Sequence, residues 1–314
     1  MTDNLSYILR RILYLIPVLM GVCFLIFILF NVVAGDPTAL LLGKHASAEQ
    51  MAELKVQLGL DKPMYMQYLD VVKSAFTFDF GRSWSTKQLI SQMFTQGAIP
   101  TLTVTVPGFL LSTFLSILTA VIVAFFRGSK VDLVVRISCI AMMSISSLVY
   151  ILVAQKVLAF DLGLFEISGY DFGFPNFIPY VALPVLIWVI LTVGPDVRFY
   201  RTLILDEIYQ DYVRTARAKG LSEKVVLLKH VLRNAMIPIL TYTVNQLPFL
   251  LLGSILLESF FSIPGLGSMV INALNSSDFP VLKAVTVLSA VGYIFFTLLQ
   301  DILYTVVDPR VKLK

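Results

Sequence analysis

Charge is what this chain has least of. Only 14% of its 314 residues are Asp, Glu, Lys or Arg, against 57% hydrophobic, and mean hydropathy is +0.84. A water-soluble globule carries about 25% charged residues, so the polar surface needed to cover one is missing. Histidine and cysteine are nearly absent, at two each. His45 and His230 fall in different loops on opposite sides of the apolar segments, which leaves no metal pair. Cys23 and Cys139 fall inside apolar runs, where they read as small fillers and not as a disulfide framework. GxxxxGK[ST] is missing too, which excludes a phosphate-cradling loop of that type, and HExxH, GxSxG and CxxC do not occur. The lack of any nucleophile beside a base argues against a membrane-embedded enzyme, and no cofactor or metal is expected in the chain.

What is present is length of apolar sequence. Crossing about 30 Å of hydrocarbon takes about 20 apolar residues in a helix. Six runs approach or exceed that: Ile12–Ala34, Thr101–Phe126, Leu133–Leu158, Ile178–Gly194, Ala235–Leu257 and Val281–Val307. The fourth is the shortest, interrupted by Gly194, Pro195 and Asp196, and its helix is expected to run on, kinked, toward Tyr200. Barrel strands would be shorter and alternating, so the fold class is an all-α membrane protein with six transmembrane helices. The basic flank of the first run resembles a signal peptide, but its apolar part is too long for one. Lys156 and Asp301 sit near span ends, where their stems can snorkel. So few charges inside the spans argue against an ion-coupled carrier.

Basic residues orient the bundle. Arg10 and Arg11 precede the first span; Arg127, Lys130 and Arg136 lie between the second and third; eight more lie from Arg198 to Arg233; Arg310, Lys312 and Lys314 end the chain. All of these fall on one side, which predicts both termini in the cytoplasm. Asp161, Glu166 and Asp171 face the other way. The expected organisation is an N-terminal helix over 1–34, an extracytoplasmic loop over 35–97, a five-helix core over 98–308 and a tail over 309–314. The loop balances six acidic against six basic residues. It predicts a short helix from Ala48 to Leu58, ended by Gly59, and a partly ordered stretch over Gly81–Pro100.

One long polar segment interrupts the apolar sequence, Asp206 to Pro238, reading DEIYQDYVRTARAKGLSEKVVLLKHVLRNAMIP. Tyr209 to Lys219 predicts a helix, Gly220 supplies a left-handed residue to end it, and Ser222 caps a second helix with Glu223 in its first turn. On that reading Tyr212, Arg214, Thr215, Arg217 and Lys219 are displayed around Ala216 and Ala218, small enough for a partner to approach the backbone. Composition alone leaves a solvated basic loop against anionic lipid equally open. Near the other end of the fifth span, Glu258 with Pro264, Gly265 and Gly267 predicts an external turn with a re-entrant half helix, as an outer gate or as a simple tight connection.

Gly220 and the residues before it resemble the EAA loop of type I ABC importer permeases, with Arg214, Thr215 and Ala216 at the triplet and the glutamate and the final proline of that pattern absent. DYVRTARAKGLSEKVVLLKHVLRNAMIP is closer to the dipeptide, oligopeptide and nickel permease branch. That branch is also similar in YILRRILYLIPVLMGV with GDP after it, in LLGSILLESFFSIPGLGSMVINAL with Asp278–Pro280 after it, and in Asp308–Lys312. The early first span and the long loop after it resemble the first of the two permeases such systems use.

The resemblance implies a permease subunit of a binding-protein-dependent importer in a bacterial or archaeal cytoplasmic membrane. Its implied partners are a second permease, two ATPase subunits, an extracytoplasmic solute-binding protein and membrane lipid, with no nucleic acid; ATP and Mg would be held on the ATPase subunits. It implies dipeptide or oligopeptide cargo, with nickel complexes, glycosides or another small solute as alternatives. It also implies an ATPase-coupling set of Glu207, Asp211, Tyr212, Arg214, Thr215, Ala216, Arg217, Lys219, Gly220, Leu221 and Ser222.

Overall fold

The computed structural model describes residues 2–33, 38, 42, 47–57 and 59–307. The tail at 309–314, the Asp308–Lys312 stretch, the GDP at 35–37 and His45 lie outside them. The described residues fold as α1 (Thr2–Ile28, with a π-helical turn Leu29–Val33), α2 (Ala48–Gln57), α3 (Met64–Thr77), α4 (Ile90–Phe125), α5 (Lys130–Ser144), α6 (Ser147–Ala154, extended by Gln155–Asp161) and α7 (Ile178–Ile208). They continue as α8 (Asp211–Ala218), α9 (Glu223–Val225, joined through Val226–Val231), α10 (Leu232–Leu252), α11 (Ile255–Phe260), α12 (Leu266–Asn275) and α13 (Phe279–Val307). No strand is formed among the described residues; Arg82 and Leu89 make one isolated bridge.

Four helical stretches are long and apolar enough to cross a membrane: 90–125, 178–208, 223–250 and 279–299. The α5–α6 pair, bent by 90°, makes a fifth if it is one span, and 16–31 is a shorter apolar stretch. The third expected span is therefore a broken one. Ser146 is extended at the break, with φ −62 and ψ 142, and the Tyr150 hydroxyl donates at 3.0 Å to the Met142 carbonyl. Ending a helix leaves its last carbonyls without partners, and this tyrosine supplies one.

Three other boundaries shift. α4 begins at Ile90 and not at Thr101, because Ile90 is itself fully buried and the preceding turn is closed by the Arg82–Leu89 bridge. α7 runs unbroken through Pro195 to Ile208. α10 stops at Leu252, where Gly253 takes φ +69, so Leu257 belongs to a separate helix and not to the fifth span. The segment between α1 and α4 holds two helices among its described residues, α2 as expected and α3, which the sequence reading did not resolve.

α4 and α7 form the most extensive helix pair. Their close approach needs Gly108, since a Cβ there would stand 2.7 Å from the Trp188 ring. α10 packs on α13 and α4, α5 on α7, and α1 on α13 and α3. Cys23 and Cys139 are both buried. α4 thus joins the two ends of the bundle: Thr101 lies near one end and Ala124 about 35 Å further on at 1.5 Å per residue.

Candidate functional site

The polar hairpin folds at the end of the bundle where α7 finishes. α8 is strongly amphipathic, and its apolar side is pinned. Val213 (0% exposed) and Ala216 (5%) join Ala120 and Ala124 of α4, Tyr200, Ile204 and Ile208 of α7, and Val226, Leu227 and Val231 in one core. Ala216 is therefore packed against the bundle. The expectation that it opens the backbone to a partner is corrected: at helical spacing it shares the inward face with Val213. Tyr212 is also turned in, half-buried, with its hydroxyl donating at 2.5 Å to Glu207 Oε2. Asp211, Arg214, Thr215, Ala218, Lys219, Gly220, Leu221 and Ser222 form the exposed face.

Gly220 takes φ +78 and ends the helix as its position predicts, with open space where a Cβ would be. Arg217 closes the turn. Its Nε and Nη2 donate to the two carboxylate oxygens of Glu223 at 2.8 and 3.3 Å, so it spends its charge within the hairpin. Ser222 stands at the N-cap with φ −64 and ψ 148, but its side chain makes no cap hydrogen bond. Nearby, Asp132 of α5 accepts a bidentate pair from Arg201 of α7 at 2.9 Å each and the Gly128 N–H at 3.0 Å. The sequence reading passed over that ion pair, because its partners are 69 residues apart.

At the opposite end, Glu258 is the centre of the second cluster. It is 0% exposed, and its Oε1 accepts from Thr101 Oγ1 at 2.8 Å. Its Oε2 accepts from the N–H groups of Gly267 at 2.7 Å and Ser268 at 3.1 Å. Thr101 Oγ1 in turn accepts from Leu266 N at 2.8 Å. The carboxylate thus caps the first turn of α12, where free N–H groups and the helix dipole favour a negative charge. Burial pushes its carboxyl up, against the hydrogen bonds from Thr101, Ser268 and Gly267. A Cβ on Gly253 would lie 2.1 Å from Oε1, and one on Gly265 2.3 Å from Oε2. Gly267, 2.9 Å from the Ile255 backbone, is similarly crowded, while Pro264 is exposed. The connection is two short helices folded over a carboxylate. Thr101 was missed because nothing in the sequence signals a partner 157 residues away, and Gly253 because its role depends on the side chain that folds back over it.

A third carboxylate ties down the segment between α3 and α4. Asp278 accepts from the Ser83 and Ser85 hydroxyls and from the backbone N–H groups of Trp84 and Ser85, and Trp84 meets Phe279 edge-on at 6.0 Å. Burial raises its carboxyl, but these hydrogen bonds outweigh it and hold the group below its ordinary value. A carboxyl depressed in the folded state stabilises above its unfolded value, about 3.9, and loses that contribution as pH falls through the lowered one. Asp278→Ala is expected to free the 79–89 segment for proteolysis at pH 7 without releasing the protein from the membrane. Wild-type resistance in that variant would remove the anchoring role.

Of the charged residues near span ends, Lys156 pairs with Asp161 and lies over the Phe160 ring at 4.8 Å. The Asp301 side chain lies outside the described residues. Asp196, which the sequence reading treated as an interruption, is buried in α7 and accepts from Tyr242 at 3.0 Å and Gln246 at 3.4 Å.

An all-helical bundle of membrane-crossing length, with an exposed polar hairpin at one end and a capped pair of short helices at the other, is the architecture of a polytopic membrane permease. Residues 112–313 match the family described as binding-protein-dependent transport system inner membrane component, and residues 4–95 match its N-terminal counterpart. The chain belongs to that family. It is 32% identical over 310 residues to the glutathione transport system permease protein GsiC of Escherichia coli (strain K12) and to that of Salmonella typhi, covering 99% of this chain and 100% of each relative. It is therefore an inner-membrane permease subunit of an ABC importer, a transporter component that works with an ATPase and a solute-binding protein.

Proposed function

We propose that this chain forms half of the translocation pathway for dipeptides or oligopeptides, crossing the membrane six times with both termini cytoplasmic, and that the 206–238 hairpin seats on an ATPase subunit. The observation that carries this reading is the two-sided character of α8. Its inward face is packed against α4, α7 and the start of α10, and its outward face presents Asp211, Arg214 and Thr215 to solvent, continued by Lys219 and Leu221 in the turn after it. A body bound to that face would move three helices together. The domains are 1–34, 35–97, 98–308 and 309–314, and the partners are a companion permease, two ATPase subunits and an extracytoplasmic binding protein. ATP and Mg belong to the ATPase subunits.

Transport by alternating access requires nucleotide and loaded binding protein each to favour one state of the bundle, since a ligand of equal affinity for both shifts nothing. The Glu258 cluster, with its glycines and short helices, is the outer gate or turn. Peptide cargo is favoured by the name of the relatives, glutathione being a modified tripeptide; nickel complexes and glycosides are the alternatives.

The test is uptake into proteoliposomes, with ATP inside and binding protein with labelled peptide outside. Vanadate-sensitive accumulation by the full complex, and none by this chain alone, is the expected result. Uphill accumulation by the isolated chain would overturn the reading. Accumulation of a glycoside or nickel complex in place of peptide would replace the cargo.

A further inference from the structure

We propose that the cavity between α1, α3 and the start of α13 is an oxyanion site for a phosphate group, carried by an anionic phospholipid or free in solution. The cavity measures 230 Å³ and is lined by Asn31, Gln67, Asp70, Ser74, Trp84 and Lys283 among others. Among the described residues Lys283 is the only cation lining it, and the hydrogen bonding around it runs one way. The ammonium donates to Asn31 Oδ1, Asn31 Nδ2 donates to Gln67 Oε1, and Gln67 Nε2 donates to the carbonyls of Leu60 and Lys62. Every acceptor in that chain is neutral. No carboxylate lies within ion-pair distance of Lys283 among the described residues, and Asp70 is held by Lys62 at 2.7 Å.

A half-buried ammonium without a counter-charge is costly, and an anion that supplies both charge and acceptors relieves it. Three donors from three elements are available. Lys283 has two N–H bonds beyond the one to Asn31, and among the described residues neither the Ser74 hydroxyl of α3 nor the Trp84 indole N–H makes a hydrogen bond. A phosphate has the oxygens to take all of them. The surroundings suit a lipid: Phe24, Leu25 and Leu29 are exposed on α1 close to Asn31, which offers a surface for acyl chains. Tryptophan and lysine at the end of a span are the residues that meet headgroups. Placing the site at the membrane surface rests on α1 and α13 being spans, as proposed above.

The test uses the full transporter complex in nanodiscs of phosphatidylcholine, with phosphatidylglycerol or inorganic phosphate added, and reads the thermal midpoint. Wild type is expected to gain several degrees from phosphatidylglycerol. Lys283→Met should lose most of that gain, Lys283→Arg should keep it, and Trp84→Phe should reduce it. A gain from inorganic phosphate alone would identify the free anion as occupant; a gain only from the lipid would identify the headgroup. Equal gains in wild type and Lys283→Met, or no gain in wild type with either additive, would overturn the site. Should Lys283→Met fail to assemble, an unchanged gain in Trp84→Phe would overturn it instead. ATP-driven uptake by the same variants in proteoliposomes reports separately on the importer reading.

Discussion

Glu258→Leu is expected to destroy the α11–α12 turn and to reduce uptake by the assembled transporter more than tenfold. The carboxylate serves Thr101 Oγ1 and the N–H groups of Gly267 and Ser268, all in a cluster where Glu258 is 0% exposed. A buried donor left without an acceptor costs about 1–3 kcal/mol, and leucine strands three donors at once. Glu258→Gln keeps the shape and one acceptor, but turns an NH₂ group toward N–H or O–H donors, so an intermediate loss is expected. Gly265→Ala approaches the same cluster sterically. At φ −99 the backbone has no need of glycine, and the obstacle is the Cβ, 2.3 Å from Glu258 Oε2 and 2.5 Å from Thr101 Oγ1. Limited proteolysis of the complex in membranes reads all three variants. A wild-type cleavage pattern between residues 253 and 268 in both Glu258→Leu and Gly265→Ala would show that the carboxylate does not organise the turn.

Gly220→Asp is expected to abolish uptake with membrane insertion and thermal midpoint close to wild type. The left-handed backbone there disfavours other residues by about 1 kcal/mol, and aspartate is among those that tolerate it best. No atom lies within 4 Å of the position a Cβ would take. The fold should absorb the change, while an extra carboxylate lands in the exposed face with Arg214 and Lys219. Arg217→Ala is the internal comparison: it opens the Arg217–Glu223 clamp without altering that face's outer charges, and a smaller loss is expected. Copurification of the ATPase separates the outcomes. Undiminished uptake by Gly220→Asp with the ATPase still bound would remove the hairpin from the coupling role.

Much of this molecule is legible along the chain, because the dominant forces there are local. Apolar stretches this long and this continuous are helices, since hydrocarbon leaves only helices and closed barrels to satisfy the backbone, and barrel strands are shorter and alternate. Gly220 and Gly59 ended helices where their sequence positions said they would, at φ +78 and +67. The α2 helix also fell where apolar and polar residues mix at helical spacing.

Only the tertiary structure decided what the polar residues do. Composition marks Glu258 as an expensive group to bury; it carries no sign that Thr101 would meet it, or that three glycines would make room. Asp278 reads as a loop aspartate until Ser83, Trp84 and Ser85 arrive from 193 to 195 residues away. The 90° break in α5–α6 is likewise invisible in a run of apolar residues, because Tyr150 satisfies the Met142 carbonyl only once the chain has folded back. Ala216 has the same origin: small size is written in the sequence, but the side it faces is set by what packs against α8. That apolar stretches form membrane helices follows from the solvent and the backbone, which act on each segment alone. Caps, clamps and pockets need two distant segments to meet, and that meeting is a property of the packed bundle.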